Sequence, residues 1–130
     1  MTSRMDSQLD PFLRAEREKE AMLTEYFLRG EIVCICDEVL AEEIGAIAAS
    51  RRLSNLGLQL IGSRDEAFMR FDGIASETDH LPVDRERHNW SAEALEEKDR
   101  EIEQVEAFYK ESVDAACRKL IERFDIKVGR

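Results

Sequence analysis

The chain has 130 residues, with 29 Asp and Glu against 19 Lys and Arg, for a formal net charge of −10 at pH 7. That length suits one compact core and is too short for two ordinary ones, and 43% hydrophobic residues exclude a chain left unfolded for want of anything to bury. A field this negative repels phosphate backbones and anionic lipid, which argues against nucleic-acid and membrane-surface binding and makes a basic protein the partner that charge would attract.

The three cysteines Cys34, Cys36 and Cys117 are an odd number, and the opening MTSRMDSQLD has no apolar segment of the kind found in a secretion signal. A reducing cytoplasm is the expected compartment. The longest strongly apolar run, Ile32 to Cys36, falls far short of the roughly 20 residues needed to span a bilayer.

Residues 1–9 have little to bury and are expected to be frayed or disordered, leaving a single helical domain over 10–130. Asp10-Pro11 reads as an N-cap followed by proline in the first turn, where its missing N–H costs nothing. The helix that follows, near 11–28, carries Phe12, Leu13, Met22, Leu23, Tyr26 and Phe27 on either side of a charged middle, so its ends are expected to be better buried than its centre. Gly30 is expected to end it at a corner.

A second helix is expected over 31–54, where Ile32, Val33, Cys36, Val39, Leu40, Ile44 and Ile47 keep helical spacing in one broad stripe. Gly45, Ala46, Ala48 and Ala49 give it a surface on which another helix can approach closely. Ser54-Asn55 and Gly57 mark its exit, and Leu56 to Ile61 form an apolar connector lying against the core. Ser63 to Glu66 fits the S-x-x-E capping box and opens a short helix near 64–72 with Phe68 and Phe71 on one side. Residues 75–90 have no period and hold both histidines and the only tryptophan, so they read as a long loop.

The fourth helix, 91–124, is the longest uninterrupted period in the chain. Leu95, Ile102, Val105, Tyr109, Val113, Ala116, Leu120 and Phe124 recur at steps of three, four or seven, which at 100° per residue form one stripe. Ser91 suits the N-cap, and Trp90 with Leu95 suits a hydrophobic staple. The chain is therefore expected to be an all-α bundle of about four helices, centred on the second and fourth.

The polar loop is one candidate for chemistry. Its set Glu77, Asp79, His80 and His88 contains the residue types of a metal site, His80, His88 and Asp79 being the ligands such a site would use, or of a small acid–base enzyme. The two histidines, however, stand on opposite sides of Pro82 with no shared helix or strand to fix them, so a loop whose side chains cap backbone groups is the preferred reading. Cys34 and Cys36 diverge by about 200° if helical and cannot share an ion, which makes Cys36 a core thiol and Cys34 a surface one. No cofactor is implied.

The second candidate is the N-terminal half of the long helix. Glu93, Glu96, Glu97, Asp99, Glu101 and Glu103 face only Lys98 and Arg100, with internal pairs such as Glu96 with Arg100 expected to ease the repulsion. Glu93, Glu96, Glu97, Glu101 and Glu103, joined by Glu77 and Asp79 of the loop, make an acidic face. The functional expectation is a small cytoplasmic interaction or inhibitor protein, of the bacterial immunity or antitoxin kind, that meets a basic protein partner there. A homodimer through exposed parts of the first and fourth helices is compatible with this role.

Overall fold

The computed structural model describes residues 10–62 and 65–125. Four α-helices follow in order: α1 (Pro11–Leu40), α2 (Ala46–Leu60), α3 (Glu66–Glu77) and α4 (Ala92–Phe124), with a 3₁₀ segment at Asp84–Asn89 before the last. The described residues contain no strand, as the all-α reading requires. Residues 1–9, expected to be disordered, lie outside the described residues.

Asp10 caps α1 by accepting the Phe12 N–H at 3.0 Å, with Pro11 in the first turn. The helix then runs straight through Gly30, contrary to the corner expected there. Gly30 is exposed with open space around it, so nothing forces the chain to turn. The break comes instead after Leu40. Glu43 N–H bonds back to Glu38 at 2.9 Å and Glu42 N–H to Val39 at 3.0 Å, with Glu42 at φ 61, the pattern of a Schellman stop. The segment expected as one helix over 31–54 is thus the end of α1 and the start of α2. Leu56 to Leu60, expected as a connector, are the last turns of α2.

Helix α3 starts one residue after Asp65, which accepts the Ala67 N–H at 2.9 Å and so takes the capping role assigned to Ser63. Ser63 itself lies outside the described residues. Gly73, expected just past the end of this helix, sits inside it. Helix α4 begins as expected, Ser91 accepting the Ala94 N–H at 3.2 Å. Trp90 remains 37% exposed beside it.

One hydrophobic cluster joins the four helices: Ile32, Ile35, Cys36 and Val39 of α1, Ala49 and Leu53 of α2, Phe68, Phe71 and Ile74 of α3, and Val113, Cys117, Leu120 and Phe124 of α4. The centre is therefore the C-terminal halves of α1 and α4, with α2 and α3 packed on them. Helices α2 and α3 touch through Gly57, where a Cβ would lie 2.5 Å from the Phe68 ring, so only glycine permits this approach. Phe68 in turn stacks at 6.1 Å from Phe124, which also lies beneath the guanidinium groups of Arg29 and Arg123.

The first half of α1 has no part in this core. Phe12, Leu13, Met22, Leu23, Tyr26 and Phe27 are 50–69% exposed, which overturns the expectation that the ends of the helix are buried. Among the described residues no helix is long and apolar enough to cross a membrane.

Candidate functional site

The segment between α3 and α4 is held from both sides. From α2, Arg51 donates to the Leu81 carbonyl at 2.8 Å, to the Thr78 carbonyl, and to Glu86 at 2.6 Å, while Arg52 reaches Asp84 at 3.2 Å. From α4, Asp99 receives both arms of Arg87 at 2.6 and 3.0 Å, and Glu101 meets His80 Nε2 at 2.6 Å. Leu81 and Pro82 are buried beneath these contacts. Glu86 also accepts the Val83 N–H at 2.9 Å, and this bond and then Arg51 hold its carboxyl below the usual carboxylate range. The polar loop is thus used mainly in holding α2 to α4. The sequence reading missed Arg51, whose position on the helix surface shows no sign of the carbonyls it will meet.

These contacts sort the acidic candidates into two sets. Glu101 is taken by His80, with Lys98 at 3.6 Å, and the His80 hydrogen bond keeps it ionised to lower pH than usual. Glu77 accepts the Tyr109 hydroxyl, which raises the Tyr109 pKa above its ordinary value. Asp99 is likewise held low by Arg87. Glu93, Glu96, Glu97 and Glu103 remain exposed with no ion-pair partner among the described residues, and Asp79 is exposed beside the loop. The expected pair of Glu96 with Arg100 does not form, so the ridge of α4 keeps its charge.

The ridge ends in an aromatic. Phe108 lies about three turns beyond Glu97 on the same side of α4 and is 77% exposed, its ring edge-on to Tyr109 at 4.9 Å. Between this pair and the start of the loop is a cleft of about 410 Å³ lined by Glu77, His80, Glu101, Val105, Phe108 and Tyr109, among others. Its walls are aromatic and aliphatic, and of its two carboxylates Glu101 is engaged by His80 and Lys98 while Glu77 meets the neutral Tyr109 hydroxyl and keeps its charge for a ligand. That chemistry suits one long cationic side chain, held by charge at its tip and by the rings along its stem.

The metal reading finds no such support. Among the described residues no three His, Cys, Asp or Glu side chains stand close enough to hold an ion. His80 is directed to Glu101, whereas His88 lines a separate shallow pocket with Arg51 and Arg52, so His80, His88 and Asp79 do not converge.

A larger groove of about 1030 Å³ separates α3 from α4, floored by Met69, Ile74 and Ala116 and edged by Arg70, Lys119 and Arg123. Arg123 is itself paired with Asp65 at 3.1 and 3.2 Å. Comparison with known protein families, with characterised proteins and with solved structures gives no significant match.

Proposed function

We propose that this protein is a small acidic interaction protein that binds a basic protein partner along the first half of α4, as a cytoplasmic inhibitor or immunity-type factor would. The observation that carries the reading is the exposed Phe108 set beyond the unpaired carboxylates Glu93 and Glu97 on one side of α4, with Glu96 and Glu103 on its flank, beside a cleft whose polar rim is Glu77 and Glu101. Large exposed aromatics with a polar surround are the usual anchors of protein interfaces. The ridge supplies long-range attraction over a Debye length of about 8 Å at physiological salt, and the cleft supplies the short-range hold on one Lys or Arg side chain.

The experiment uses an arginine-rich peptide as probe and measures association and dissociation over a salt series. Reversing Glu93, Glu96 and Glu97 to Lys is expected to slow association and flatten its salt dependence. Phe108→Ala, which leaves the charge unchanged, is expected to speed dissociation, and Arg118→Glu on the other half of α4 to change neither. Salt-independent binding that survives the triple reversal and Phe108→Ala would overturn the proposal.

A further inference from the structure

The first half of α1 presents an apolar face that no other described residue of this chain covers. Leu23, Tyr26 and Phe27 stand nine residues before Ile32, Ile35 and Cys36, and nine residues at 100° each is about half a rotation. The second set faces the core, so the first points away from it, and all three of Leu23, Tyr26 and Phe27 are at least 59% exposed. With Phe12, the two aromatics make three rings that offer roughly 300–500 Å² per chain at about two-thirds exposure. Doubled by a second copy and increased by Leu23 on the same stripe, this approaches the roughly 1,000 Å² that a specific interface needs.

We infer that the occupant of this face is a second copy of the same chain, packed antiparallel along α1. The stripe reads Phe12, Glu16, Lys19, Leu23, at steps of four, three and four. That spacing is the same in both directions, so a two-fold axis sets Phe12 of each chain against Leu23 of the other, and Glu16 against Lys19. Helical side chains lean towards the N-terminus, which in an antiparallel pair tips Phe12 from Leu23 towards Tyr26 and Phe27 of the second copy. Charge agrees with the pairing. From Pro11 to Phe27 the three cations Arg14, Arg17 and Lys19 meet the four anions Glu16, Glu18, Glu20 and Glu25, so the arm is nearly neutral in a chain of net charge −10 and two copies meet there with little repulsion. Glu16 and Lys19 in mid-stripe also disfavour a lipid bilayer as the occupant, because both charged side chains would lose their hydration there.

Sedimentation equilibrium of the full chain tests the inference. The expected mass is twice the 15.0 kDa of one chain at micromolar concentration. Leu23→Glu is expected to weaken the dimer by at least roughly tenfold, with the helical signal of the bundle retained because the position is outside the core. Glu16→Lys and Lys19→Glu, made singly, each set like charges against one another across the axis and should also weaken it. The double variant carrying both should recover the wild-type constant, as charge pairing across a two-fold axis requires. A wild-type monomer overturns the inference, whether or not it binds vesicles or another protein through the arm. So does a dimer that neither Leu23→Glu nor the single reversals disturb, or a double reversal that fails to restore it.

Discussion

The carboxylate of Glu106 occupies the space in which a side chain at Gly45 would stand. One of its oxygens accepts the N–H of Ala46, and both lie 3.3–3.4 Å from the Ile47 nitrogen. The first amides of a helix have no partner within it, and Gly45 at the N-cap brings no side chain to serve them. A residue from the middle of α4 therefore caps α2, and the positive end of the α2 dipole favours its negative charge.

Removing this cap with Glu106→Ala is expected to destabilise by about 1–2 kcal/mol, the range for loss of a good N-cap. Gly45→Ala should cost about 1–3 kcal/mol by overpacking against the carboxylate. The double variant should lose less than the sum, because the added methyl then enters the space that Glu106 has vacated. Denaturant midpoints at constant slope measure all three, and strict additivity would show that the two residues do not interact.

The same residue carries a pH signature. Burial pushes the Glu106 carboxyl above its ordinary value, and the Ala46 and Ile47 N–H groups pull it back only in part. A carboxyl whose folded pKa is raised adds stability that is fully present below the unfolded pKa and is lost as pH rises through the folded one. Glu106→Gln keeps an acceptor and removes the titration. Its melting temperature subtracted from that of the wild type should therefore increase as pH falls from neutral towards the ordinary carboxylate value of 4.5. A decrease over that window would mean that the N–H groups outweigh the burial.

Glu42 and Gly30 should respond to opposite substitutions. Glu42 sits at φ 61, where an L-residue pays about 1–2 kcal/mol that glycine does not, although glycine also loses more chain entropy on folding. Glu42→Gly is expected to stabilise by about 0.5–1 kcal/mol, since the exposed contact with Lys110 at 3.1 Å contributes little. Gly30→Ala should stabilise by a similar amount, because alanine is the better helix former and its methyl meets nothing within 4 Å. Thermal melts of the two variants check both signs.

The cysteines should separate by reactivity. Cys34 is exposed, but partial shielding and then the Glu38 carboxylate, which accepts its thiol at 3.6 Å, hold its pKa above the ordinary thiol value. Cys36 and Cys117 are fully buried, and a hydrogen bond between their thiols, followed by burial, pushes Cys36 up strongly. One thiol should label in the native protein, slowly at neutral pH and faster as pH rises, and the other two only on unfolding. Rapid labelling of two thiols in the native state would contradict the burial of Cys36.

The sequence by itself determined the helical class, the whole of α4 with its Ser91 cap, the start of α1 at Asp10 and the burial of Cys36, because each rests on spacing within a few turns of one helix. Tertiary structure decided where α1 stops. Gly30 carries a stop signal that open space leaves unused, whereas Glu42 stops the helix in a conformation its side chain does not advertise. The apolar residues of α1 looked like one amphipathic helix at each end, yet their two halves face opposite sides, and only the position of the other helices decides which half has something to bury against. The acidic face divided for the same reason. Glu93, Glu96 and Glu97 cannot be told from Asp99 and Glu101 along the chain, and they differ because Arg87 and His80 reach the second pair across the fold.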